Sequence, residues 1–168
     1  MCDFGGFYAE ASAPEFGELL NAKGLPEVYI TRVNKPCLMQ PMKLHDARTP
    51  SNGTRNHQLA ICTQPLFYYV DWTLIAQFFE MWILQGVTKF YIYFQSLAFE
   101  TDALLRVYEN EATIDVERIP WSAFPTDGDF LSKPENDPNN RVCRLEVLSA
   151  INDCVLRSRG HTKFVISY

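Results

Sequence analysis

The sequence predicts an α/β protein with a mostly parallel sheet flanked by helices, and three observations predict it. From His57 onward, apolar and β-branched runs of strand length alternate with helical periodicities, the pattern of right-handed crossovers in a parallel sheet. Start and stop signals fall at the joints, with Asp71 ahead of one helix and Gly86 and Gly160 behind two. Apolar residues make up 47% of the 168 positions and aromatics 14%, enough to fill a core and too many for a disordered chain.

Residues 1–57 hold Pro14, Pro26, Pro36, Pro41 and Pro50 and no sustained period, so they read as an irregular lead-in with one edge strand, Glu27 to Val33. Residues 58–168 form the domain. Its first strand is Leu59 to Thr63, with Pro65 unsuited to a central strand. Asp71 then caps a helix that Gly86 ends. Thr73, Gln77 and Glu80 fall on one narrow stripe of it and apolar side chains cover the rest, which predicts burial on more than one side. Lys89 to Gln95 is an aromatic, β-branched strand. Thr101 to Asn110 is a helix with Leu104, Leu105 and Tyr108 at helical spacing, and Thr113 to Ile119 alternates as a third strand.

Residues 120–140 form a long polar loop with four prolines. Arg141 to Gly160 reads as a third helix whose apolar arc runs from Ala150 through Cys154 and Val155 to Leu156. Asn152 falls inside that arc, where its amide needs partners; it either fixes packing or faces a polar ligand. Asp153 lies on the polar stripe with Glu146, Ser149 and Arg157, and an i,i+4 pair with Arg157 accounts for it. Lys163 to Tyr168 is the closing strand. The order β-α-β-α-β-loop-α-β is the first half of a nucleotide-binding type of sheet.

A net charge of −5 without any basic run argues against a partner of duplex nucleic acid. No segment is apolar for long enough to span a bilayer as a helix, and the first residues lack the basic and apolar regions of a signal peptide. The five cysteines form no C-x-x-C pair and have no histidine at ligand spacing, so zinc has little support. Asn52-Gly53-Thr54 is an N-glycosylation acceptor in a polar stretch, which leans towards the secretory route. Glycine-rich nucleotide loops, zinc-protease helices and nucleophile elbows are all missing. Asp127 and Asp129 have the spacing of a cation-binding pair but lie among turn residues, and read as a solvated turn. In open parallel sheets ligands bind outside the carboxyl ends of the strands, which singles out Thr63 and Gln64, Gln95 and Ser96, and the loop after Ile119.

Ordered blocks then carry a resemblance. A cysteine-bearing strand runs into "TQPLFYYVDW", an aromatic-rich helix ends in "LQG" before "KFYIYF", and "INDCVLRSR" precedes "KFVISY". Leu59 to Tyr168 closely resembles glycosyltransferase family 92. The resemblance implies an incomplete GT-A-like, Rossmann-type sheet, and a type II protein of the Golgi or another secretory-pathway membrane. Its expected activity is transfer of a hexose, galactose above all, from a nucleotide donor such as UDP-galactose to a glycan acceptor. It also implies a divalent cation, manganese by preference, held by an acidic motif that follows the K-F-V strand and that this sequence does not reach. The chain alone is therefore expected to be inactive, an incomplete enzyme domain or a non-catalytic binding module.

By position, the donor-side residues are Thr63, Gln64, Gln95, Arg144 and Asp153. Cys62 and Cys154 match family cysteines and could form a disulfide, against the alternative that Cys154 is a buried free thiol. The third helix departs from the family, with Glu146 and Val147 standing where Gly followed by Gln or His is usual. The catalytic base has no assigned residue.

Overall fold

The computed structural model describes residues 13–21, 27–43, 48–122, 135, 138–141 and 147–168. The lead-in is more regular than its prolines suggest. Helix α1 (Pro14–Asn21) is followed by an antiparallel hairpin of β1 (Glu27–Arg32) and β2 (Lys35–Lys43), with Glu27 opposite Lys43 and Tyr29 opposite Pro41. Pro36 and Pro41 are tolerated inside β2 because both strands of a two-stranded sheet are edges, and a missing N–H can face away from the partner.

The domain is a four-stranded parallel sheet of β3 (His57–Cys62), β4 (Lys89–Phe94), β5 (Asp115–Pro120) and β6 (Thr162–Ser167), in the order β5-β4-β3-β6. Helix α2 (Trp72–Leu84) starts where Asp71 Oδ1 accepts from the amides of Thr73 (3.1 Å) and Leu74 (3.2 Å). It stops before Gly86, whose φ of +87° suits glycine. Only one face of α2 is buried, through Ile75, Phe78 and Phe79, while Trp72, Leu74 and Met81 are exposed, so the expected burial on several sides does not occur. Phe79 stacks on Tyr108 of α3 (Phe99–Glu109) at 4.1 Å and meets Phe90 at 4.6 Å. Each such fully buried aromatic contributes roughly 2–3 kcal/mol.

Strand alternation splits the core between two faces. Phe90 and Ile92 face α2 and α3, whereas Tyr91 and Tyr93 face α4 (Val147–Ser158) with Ala60, Cys62 and Ile119. The third helix was expected from Arg141. Pro138–Arg141 is instead a 3-10 turn, residues 142–146 lie outside the described residues, and α4 begins at Val147. Its buried stripe is Ala150, Cys154 and Ser158, small side chains four apart that let the helix lie close to the sheet. Leu148, Val155 and Leu156 are exposed, and so is Asn152, which corrects the expectation of a buried amide. A disulfide joins Cys62 at the end of β3 to Cys154, with Cα atoms 6.3 Å apart, so Cys154 is not a free thiol.

The chain steps from β3 to β4 to β5 in one direction, then returns to place β6 on the other side of β3. That reversal is a topological switch point, and it leaves β6 at the edge of the sheet.

Candidate functional site

A cavity of about 680 Å³ opens at this switch point, beside the carboxyl ends of β3 and β6. Its base is the β3–β6 pairing carried past the strands: Tyr168 N–H donates to the Cys62 carbonyl (2.9 Å), and Gln64 N–H donates to the Tyr168 carbonyl (3.0 Å). Thr63 is buried there, its amide donating to the Tyr91 carbonyl (3.0 Å) and its Oγ1 accepting from the Tyr93 amide (3.1 Å). The Thr63 hydroxyl thus extends the sheet ladder, while Gln64 is exposed at the cavity. The wall comes from Leu74, Phe78 and Met81 of α2, and the Tyr168 ring rests against Phe78 at 5.5 Å and Trp82 at 6.2 Å.

Among the described residues no charged side chain lines the cavity. Its polar side-chain groups are the amides of Gln64 and Gln77 and the hydroxyls of Thr63, Tyr69 and Tyr168. Burial, reinforced by the negative charge of Asp71, pushes the Tyr69 hydroxyl above its ordinary value, so it stays a neutral donor. Such a lining suits a neutral ligand with an apolar face and hydrogen-bonding edges. A diphosphate would find no cation among these side chains.

Of the five positions carried over from the family, the four that are described do not all meet at one place. Thr63 and Gln64 share the cavity. Gln95 follows β4, its amide donating to the Leu66 carbonyl (2.8 Å); its side chain is not part of the cavity lining, and its buried Oε1 has no hydrogen-bond partner. Asp153 lies on the opposite face of the sheet. Arg144 falls outside the described residues, as do Asp127 and Asp129. Tyr168, Phe67 and Tyr69 are lining residues that strand-end reasoning missed. The Rossmann-type order, which sets the last strand beside the first, was the signal that could have found Tyr168.

Asp153 belongs to a chain of charges that ties α4 to the sheet. Tyr93 Oη donates to Asp153 Oδ2 (2.5 Å), and Arg157 Nε donates to the same oxygen (3.1 Å), the i,i+4 pair visible in the sequence. Arg157 Nη1 reaches Glu117 (3.0 Å), and Lys89 Nζ bridges Glu117 (3.3 Å) and Asp115 (2.9 Å). Burial and the adjoining Asp153 carboxylate both push the Tyr93 hydroxyl far up, so it remains a donor.

Among the described residues no group of three His, Cys, Asp or Glu side chains could hold a metal ion, so these residues do not fit the expected divalent cation. Among the same residues no helix is long and apolar enough to cross a membrane.

Fold and site together define an α/β domain of the Rossmann type, a parallel sheet flanked by helices with a cavity at the switch point. Residues 57–168 match the model of glycosyltransferase family 92, and the chain belongs to that family. It is similar to a glycosyltransferase family 92 protein of Caenorhabditis elegans, 28% identical over 120 residues that cover 71% of this chain and 22% of the relative. The chain thus spans about a fifth of the length of that curated relative. No solved structure matches.

Proposed function

We propose that this chain supplies the nucleoside-binding side of a GT-A-like glycosyltransferase, with the switch-point cavity taking the uracil and ribose of a UDP-sugar. The observation that carries the reading is a cavity whose described lining has no charged side chain, at the carboxyl ends of β3 and β6, in a family 92 chain. Gln64 and Tyr168 offer hydrogen bonds to a nucleoside, and Phe78 and Met81 offer it an apolar wall. The donor is UDP-galactose and the acceptor a glycan hydroxyl. In transfer, the acceptor oxygen bonds to the anomeric carbon as that carbon's bond to the UDP oxygen breaks, and the hydroxyl proton passes to a carboxylate base. Manganese, the family's expected cation, would be held by carboxylates other than those described. The Cys62–Cys154 disulfide and the exposed Asn52 acceptor turn support a place in the secretory pathway, the Golgi above all.

The test titrates uridine and UDP into the 168-residue chain without metal, read by ligand-observed NMR. Uridine and UDP are expected to bind equally, because the lining offers nothing to the phosphates, and Leu74→Trp, which fills the mouth from an exposed position, should abolish both. UDP binding more than about tenfold tighter than uridine, a difference of about 1.4 kcal/mol, would show that phosphate-binding groups lie elsewhere than proposed. A second reading, a non-catalytic binding module, is favoured by the same lining, which suits holding a nucleoside without activating it. Release of galactose from UDP-galactose by this chain would exclude that second reading.

A further inference from the structure

We infer that Phe67 and Tyr68 form a stacking ledge for a sugar ring of the acceptor, at the mouth of the cavity. The inference rests on the reading of that cavity as the donor's nucleoside site. Between β3 and α2 the side chains of Leu66 and Tyr69 pack against the core, while Phe67 is 47% and Tyr68 73% exposed. An extended chain would send neighbouring residues to opposite faces. Here Tyr68 takes a φ of +46°, the positive φ found at no other non-glycine residue among those described, and the alternation breaks. A bulky aromatic residue in that region is strained, and the conformation persists only because its surroundings fix it.

Those surroundings are specific. Ser96 Oγ accepts from the Tyr68 amide (2.8 Å), the Tyr69 amide donates to the Ser96 carbonyl (3.2 Å), and the Ala98 amide donates to the Tyr69 carbonyl (2.9 Å). The two rings meet edge to face with centroids 4.2 Å apart, so each holds the other in place. Phe67 also lines the cavity, which sets the ledge directly beside it. Neither ring belongs to a core cluster among the described residues, so core packing of the rings themselves does not account for their placement.

Rigid exposed rings beside uncharged amides and hydroxyls suit a ligand that has a flat C–H face and a hydroxyl rim. A pyranose ring has both. A glycosyltransferase must also bring its acceptor to the same end of the sheet as its donor, which is where this ledge stands.

The test uses methyl β-galactoside as probe with the full chain, read by saturation-transfer NMR. The ring C–H protons should be saturated in the parent and in Tyr68→Phe, and not in Tyr68→Gly. Glycine accepts the positive φ, so Tyr68→Gly should keep or raise the thermal midpoint, which separates loss of the ring from loss of the fold. Unchanged saturation in Tyr68→Gly, or none in the parent, overturns the ledge. So does self-association that Tyr68→Gly abolishes in sedimentation, because a second copy would then be the occupant. Uridine is titrated into the same samples. Uridine binding without galactoside saturation sinks the ledge alone, whereas saturation without uridine binding sinks the nucleoside reading and leaves the ledge as a saccharide site.

Discussion

Reducing the Cys62–Cys154 bond should cost more than any other single change to this fold. The bridge spans 92 positions in sequence, and the loop-closure entropy it removes from the unfolded chain corresponds to about 4.6 kcal/mol at 25 °C. That is a large share of the roughly 5–15 kcal/mol that holds a domain together. The loss should fall first on α4, because its buried side chains are only Ala150, Cys154 and Ser158, whose burial contributes little beyond the bridge. A further attachment is the partly exposed network through Asp153 and Arg157. Urea unfolding can be followed by Trp121 fluorescence, since that ring sits 5.4 Å from Tyr93 on the α4 side. At a slope of about 2 kcal/mol/M, the reduced chain should unfold about 2 M earlier than the oxidised one. Hydrogen exchange should show α4 opening while β3, β4 and β5 stay protected. Equal midpoints for the oxidised and reduced chains, with alkylation mass confirming their states, would refute the reasoning.

Gly86→Ala should cost about 1 kcal/mol of strain with no clash, because the added Cβ meets nothing within 4 Å while φ is +87°; an unchanged thermal midpoint would contradict this. Burial lowers His57 below its ordinary 6.5, Lys89 adding to the effect and Asp115 opposing it, so the unfolded state takes up the proton first as pH falls. This contribution should be complete above pH 6.5 and be lost below it, and His57→Gln should flatten that part of the stability curve. Tyr93→Phe removes the 2.5 Å bond to Asp153 and should lower stability by roughly 2 kcal/mol without changing uridine affinity; a weakened nucleotide titration would return Asp153 to the donor site. Expressed through a secretory route, the chain should carry a glycan at Asn52, seen as an enzymatically removable mass that Asn52→Gln abolishes. The acceptor asparagine is exposed, and its Oδ1 already accepts from the Thr54 amide at 3.0 Å.

The sheet was legible because its elements agree at every level: β-branched strands, a capping aspartate and a left-handed glycine fall where the chain needs them. β2 was hidden because Pro36 and Pro41 argue against a strand until it is known that both strands are edges. α4 misled in a different way. Its apolar arc was a sound period, but the small stripe of Ala150, Cys154 and Ser158 packs closest, and hydrophobicity alone does not say which side of a mostly apolar helix faces the sheet. Of the site, Thr63 and Gln64 followed from the rule about strand ends. Tyr168 became visible only once the strand order set β6 beside β3, and the outward turn of Phe67 and Tyr68 depends on one backbone angle that no propensity encodes.

The position of β6 also bears on handling the protein. Among the described residues no strand pairs with its outer side, where a row of backbone donors and acceptors runs next to Phe164, which is 59% exposed. Such a row is a template on which other chains can add. Lys163 spreads its ammonium over the Phe164 ring at 5.3 Å and puts a charge beside that row. Two sheets meeting edge to edge would have to bring two such charges together, so this one lysine acts as a gatekeeper against aggregation.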